Sequence, residues 1–247
     1  MLWCPSDSVI TNMNITYPAG TVVATPFTVY YSSYAGCTGQ WFQWFGLTFA
    51  STAGAAACQF GTFYPDTQTN GLIYMLSAVP MSSITDGTSN TLLSGERAHG
   101  KFPLSEIYCW NWWTSGNFGD TMFTAFYPIN PFNKIPDFCC LDSGPDAYVS
   151  SASSFHPGGA NFGFADGSVK FLKDSISTWQ IANTGGTTIP GTGISSNPPV
   201  AAGSNGYPIG LSRDISGGYA MAPGMFVGVY QALASRNGNE VVSSDQY

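Results

Sequence analysis

The stretch Phe155-His156-Pro157-Gly158-Gly159-Ala160-Asn161-Phe162-Gly163-Phe164-Ala165-Asp166-Gly167-Ser168-Val169-Lys170-Phe171-Leu172 decides how the chain is read. An Asp-Gly pair between two apolar-rich runs predicts a β-hairpin closed by a two-residue type I′ turn at Asp166-Gly167. Pairing outward from that turn sets Phe164 opposite Val169 and Phe162 opposite Phe171, so Phe162, Phe164, Val169 and Phe171 form one core face. Asn161, Gly163, Ala165, Ser168 and Lys170 take the other face, open to solvent or to a partner that approaches closely over Gly163. A strand from Ala160 to Ala165 spans roughly 20 Å at about 3.3 Å per residue, which keeps His156 and Asp166 apart. Asp166 therefore has a turn role, and His156 is expected to bond backbone where the Pro157-Gly158-Gly159 bend enters the sheet.

Working outward, composition narrows the class. Of 247 residues, 9% are charged and 15% aromatic, with 29 Gly and 16 Pro. A disordered chain is poor in aromatics and rich in charge, so this one folds, and its length suits a substantial core. With so few charges, the surface must be covered by Ser, Thr, Asn, Gly and aromatic edges, which suits an extracellular or cell-surface protein or a subunit covered by neighbours. A net charge of −7 with seven Lys and Arg argues against nucleic acid. No run of eighteen apolar residues is present, so no membrane span is expected.

Six cysteines, Cys4, Cys37, Cys58, Cys109, Cys139 and Cys140, show no Cys-x-x-Cys spacing. An even count in a chain of secreted character favours up to three disulfides, with Cys4 to Cys37 the preferred pair and buried free thiols the alternative. Upstream of the hairpin, Thr85-Asp86-Gly87-Thr88-Ser89-Asn90 reads as a turn in which Asp86 and Asn90 bond nearby backbone and Gly87 takes positive φ. Leu92-Leu93 then begins a strand, and Glu96 beside Arg97 sets up an ion pair. The aromatic runs Trp41 to Phe45 and Trp110 to Trp113 read as core in preference to a sugar-stacking platform.

Residues 98–154 are broken by prolines and read as loops that carry whatever is specific to the protein. Past the hairpin, Asp174 or Ser175 is expected to cap a helix through Ile176, Trp179 and Ile181 that ends near Gly185. The Gly-, Pro- and Ser-rich stretch 185–225 reads as an insertion, and a further helix covers Val229 to Arg236. The expected fold is α+β, mostly β: an antiparallel sheet with long loops, a few short helices and the hairpin, in a single domain over 1–247. Catalysis finds little support, since no Gly-x-Ser-x-Gly elbow accompanies the two histidines. Zinc lacks paired Cys spacing. Calcium could draw on Asp66, Asp86, Asp120, Asp137, Asp142 or Asp146, although solvated carboxylates are the favoured reading, and no other cofactor is expected.

Four segments carry a family resemblance. His156 followed after nine residues by Asp166-Gly167, together with Cys4-Pro5-Ser6-Asp7, the Thr85 to Thr91 turn leading to Gly95-Glu96, and Asn239-Glu240-Val241-Val242, resembles a large bacterial family of prepilin-type proteins of unknown function. The resemblance marks His156, Gly158, Gly159, Asn161, Asp166, Gly167, Asp86, Gly87, Asn90 and Glu96 as structural motif residues. It implies a type IV pilin leader and long apolar helix upstream, so that Met1 is a cloning boundary, an internal residue or a misplaced start. It further implies a pilin-like subunit of an extracellular or cell-surface filament or secretion-related assembly. Such a subunit associates with itself or with related pilin-like subunits, sometimes with structural calcium in its loops. The alternative is an extracellular carbohydrate-binding or adhesion module that holds polysaccharide on exposed aromatics.

Overall fold

The computed structural model describes residues 2–7, 14–17, 27–41, 45–46, 62–63, 69–74, 76–102, 107, 110–114, 119–134, 147–181, 208–213, 219–239, 242–243 and 247. In chain order, β1 (Asn14–Tyr17) pairs with β2 (Phe27–Tyr30), and β3 (Tyr34–Cys37) follows. The small pair β4 (Phe45–Gly46) and β5 (Thr62–Phe63) precedes β6 (Leu92–Glu96), β7 (Met122–Phe123) and the one-turn helix α1 (Ala147–Ser150). The hairpin strands are β8 (Gly159–Phe164) and β9 (Val169–Lys173); β10 (Leu211–Arg213), β11 (Tyr219–Met221) and helix α2 (Val229–Ala234) complete the order. The fold is α+β and mostly β.

Five strands form the main sheet in the order β7-β3-β6-β8-β9, antiparallel except for the β3–β7 pair. Alternation in β8 is the clearest: Ala160, Phe162 and Phe164 are fully buried while Asn161 and Gly163 are half-buried. Each buried phenylalanine contributes about 1.5–3 kcal/mol by leaving water. Their face packs against Phe123, Leu172 and α2, with the Phe162 and Tyr230 rings edge-to-face at 5.9 Å. Gly95, opposite Phe162, has no room for a side chain, because an added Cβ would lie 2.7 Å from the Phe162 ring.

The hairpin forms, but one residue out of the expected register. Phe162 pairs with Lys170, Asn161 with Phe171 and Ala160 with Leu172. Gly167 donates to the Phe164 carbonyl and Phe164 donates to the Ser168 carbonyl, so the loop has three residues with Gly167 at φ +85°. This is a type I turn followed by a left-handed glycine, one residue longer than a type I′ turn. It is pinned from outside: Ala165 and Asp166 donate their backbone N–H to Thr91 and Thr88, and Asp166 Oδ1 accepts from Ser168 N–H and Oγ. A shift of one residue reverses every side chain of a strand. Val169 and Phe171 are therefore exposed, at 71% and 45%, and Leu172 is the β9 residue in the core. Phe162 and Phe164 keep the expected face; Val169 and Phe171 do not.

The helix expected after the hairpin, with Asp174 or Ser175 as its cap, does not form. Trp179 donates its backbone N–H to Gln231 Oε1 and its ring N–H to the Phe126 carbonyl, while Ile181 bridges Pro208. Those long-range partners hold the segment extended and take the backbone away from a helical ladder. The turn at Asp86 also differs from expectation in its partners. Asp86 accepts from the N–H groups of Gly238 and Asn239, and Asn90 donates to the Val242 carbonyl and accepts from the Tyr247 hydroxyl, so both fasten the distant C-terminal strap. Gly87 takes the positive φ expected of it, +92°.

Candidate functional site

The sheet's second face carries the polar residues. Strand pairing sets Tyr34 opposite Glu96 and Asn161 opposite Phe171, and Asn161 reaches Glu96 directly, so one row runs across β3, β6, β8 and β9. The shifted register is what places Phe171 in this row. His156, on the loop entering β8, sets its ring edge-to-face with Phe171 at 6.5 Å and turns Nε2 toward Glu96 Oε1 at 3.2 Å. From the N-terminal turn, Cys4 Sγ reaches the same oxygen at 3.3 Å and His156 Nε2 at 3.7 Å. Three segments far apart in sequence thus point a thiol, a carboxylate and an imidazole at one spot. Cys4 and Glu96 are buried, and His156 is one-third exposed.

Glu96 is fixed from behind. Its Oε2 accepts the Asn161 backbone N–H at 2.7 Å, and the Asn161 amide donates to both carboxylate oxygens at 3.2 Å. Ser6 Oγ lies 3.0 Å from Cys4 Sγ and 3.4 Å from His156 Nε2. Tyr34 borders the group: burial, then the nearby Cys4 and Glu96, raise its phenol pKa above the ordinary value. The adjoining crevice, lined by Cys4, Ser6, Asp7, Ser33 and Ser154 among others, leaves no space for a water-sized molecule.

Residues 1–178 match the family described as protein of unknown function (DUF1559). The chain belongs to this family. DUF1559 proteins are related to type II secretion and pilin-like proteins. Among curated proteins and among solved structures, nothing matches the chain.

In this DUF1559 chain the Cys4 to Asp7 turn serves two neighbours. While Cys4 joins the polar cluster, Asp7 at the other end accepts from the backbone N–H groups of His99 (2.8 Å) and Gly100 (3.1 Å) and from Ser33 Oγ (3.1 Å). Burial raises the Asp7 pKa, and the hydrogen bonds from Gly100, Ser33 and His99 only partly offset it. His99 itself lies among aromatic rings, 4.3 Å from Tyr31, 6.0 Å from Phe102 and 6.4 Å from Trp3. Burial, with the charge of Arg97 added, lowers its pKa to about 3. It is a neutral core histidine.

Several sequence expectations are corrected here. Cys4 and Cys37 are both free, so they form no disulfide with each other; Cys4 faces the polar cluster, whereas Cys37 sits in the apolar core, where burial pushes its thiol pKa up to about 12. The His156 ring bonds side chains, not backbone; only its main-chain N–H makes a local bond, to Ser154 Oγ. Glu96 does not pair with Arg97, whose guanidinium donates to the carbonyls of Asp120, Met122 and Val149. Asp166 stays at the hairpin tip, and Gly158 and Gly167 hold positive φ of +76° and +85°. At Gly159 an added Cβ would lie 2.1 Å from the Leu172 carbonyl oxygen.

Of the possible calcium ligands, Asp86 is occupied by the C-terminal strap and Asp120 Oδ1 by the Trp112 N–H. Asp66, Asp137, Asp142 and Asp146 lie outside the described residues, as do Cys58, Cys109, Cys139 and Cys140. The convergence itself lies outside the sequence expectations. Its signal was present, because three of the matched segments each supply one residue able to bind metal.

Proposed function

We propose that the chain is a structural, pilin-like subunit of an extracellular or cell-surface filament or secretion-related assembly. The observation that carries this reading is the outer strand of the main sheet. Among the described residues β9 ends the strand order, and it presents Val169 and Phe171 to solvent on one face. An edge strand with exposed apolar side chains is a ready site for adding another strand, and soluble monomers usually blunt such edges. The family relationship supports the same reading. Among the described residues no helix is long and apolar enough to cross a membrane.

The carbohydrate-binding alternative draws less support. Trp3, Trp41, Trp110, Trp112 and Trp179 are buried, and among the described tryptophans only Trp113 is exposed. Electron microscopy of the native protein, with Val169→Lys as the comparison, tests the proposal. Ordered filaments that the substitution abolishes are expected. A protein that stays monomeric at high concentration and binds polysaccharide would reverse the order of the two readings.

A further inference from the structure

We propose that Cys4, Glu96 and His156 form a zinc(II) site that ties the N-terminal turn, the central strand β6 and the loop before β8 together. The three donor atoms Sγ, Oε1 and Nε2 are separated by 3.3, 3.7 and 3.2 Å. Ligands around a tetrahedral zinc, at about 2.3 Å for sulfur and about 2.0–2.1 Å for nitrogen and oxygen, lie about 3.3–3.6 Å apart. The observed triangle therefore already has the edges of a zinc coordination face. Its corners share a point about 2 Å from each, close to the bond lengths zinc requires.

Donor chemistry agrees with the geometry. A thiolate and an imidazole with one carboxylate is a soft-to-borderline set suited to zinc, in contrast to the all-oxygen shells of calcium and magnesium. Asn161 supplies the outer shell, since its two donors hold the Glu96 carboxylate in place as ligating carboxylates are usually held. Ser6 Oγ is placed to bond the thiolate, and the part-exposed His156 side gives the ion a route in. On binding, the Cys4 thiol releases its proton to solvent as the sulfur–zinc bond forms. Three protein ligands leave the fourth tetrahedral position to a water from the part-exposed His156 side, while the crevice on the Cys4 side admits no water-sized molecule.

The test uses the whole chain, kept reduced, stripped with a chelator and titrated with zinc(II) and with cobalt(II) as a spectroscopic probe. One equivalent of zinc per chain is expected, with a rise in melting temperature, a thiolate-to-cobalt charge-transfer band and the visible spectrum of tetrahedral cobalt. Cys4→Ser should remove the charge-transfer band while the circular dichroism of the metal-free protein is unchanged. Asn161→Ala should weaken zinc binding about 10–100-fold without changing the stoichiometry. Absence of zinc binding by the reduced wild-type chain would overturn the proposal. So would a cobalt complex without a thiolate band, or a band that survives Cys4→Ser and so comes from another cysteine. Each wild-type result stands even where a variant fails to fold.

Discussion

His156 and His99 stand at opposite ends of one tight turn, and the turn treats them differently. At one end Cys4 brings a thiol to His156 beside a carboxylate. At the other, Asp7 fastens the backbone of His99 and leaves its ring among Trp3, Tyr31 and Phe102. The same contrast holds for sulfur, with Cys4 in the polar corner and Cys37 sealed in the core. Residue type sets what a side chain could do. Whether lone pairs converge on one point, or rings close around it, sets what it does.

The polar corner should break most severely at Glu96. In chelated, metal-free protein, Glu96→Ala leaves the Asn161 N–H and amide without their acceptor, at an expected loss of about 3 kcal/mol by urea unfolding. A much smaller loss would mean that the corner is loosely held and that Asn161 does not position the carboxylate.

The aromatic pocket should respond to acid instead. The His99 pKa falls from 6.5 in the unfolded chain to about 3 in the native state, so between those values the unfolded chain binds the extra proton. Its contribution is fully present above pH 6.5 and is lost as pH falls toward 3, at about 1.4 kcal/mol per pH unit. Asp7 works in the opposite sense. Its native pKa is raised, so in the window from its unfolded value up to that raised value the native state holds more protons and gains relative stability as pH falls. Urea midpoints measured from pH 7 to 4 should fall steeply for wild type and less steeply for His99→Leu. Equal slopes would place the acid sensitivity elsewhere.

The hairpin tip offers the mildest perturbation and a control. Gly167 has a left-handed φ, and no atom lies within 4 Å of the place a Cβ would take, so Gly167→Ala carries backbone strain alone, about 1 kcal/mol. It should lower the melting temperature slightly and leave both histidine environments unchanged by NMR. A change at His156 would show that the turn sets the register of Phe171 and with it the corner.

The mostly-β class, the hairpin, the strand after the Asp86 turn and the helix at Val229 were legible in the sequence, because each rests on local turn chemistry or alternation. The hairpin register was not. Asp-Gly serves both a two-residue and a three-residue loop, and the choice here is made by Thr88 and Thr91, which accept the turn's backbone N–H groups from another loop. The missing helix after Asp174 has the same cause, since Gln231 and Pro208 engage its backbone and the Phe126 carbonyl holds the Trp179 ring N–H. Cys4, Glu96 and His156 each read singly as a disulfide, an ion pair and a backbone clamp. Sequence separations of 92 and 60 residues hid their meeting from any local pattern.

X-ray absorption at the zinc edge, on the zinc-loaded reduced chain, addresses the convergence most directly. A site built on Cys4, Glu96 and His156 gives one sulfur at about 2.3 Å with nitrogen and oxygen neighbours at about 2.0–2.2 Å, and loses the sulfur shell in Cys4→Ser. A shell of oxygens and nitrogens alone, identical in wild type and Cys4→Ser, would contradict it.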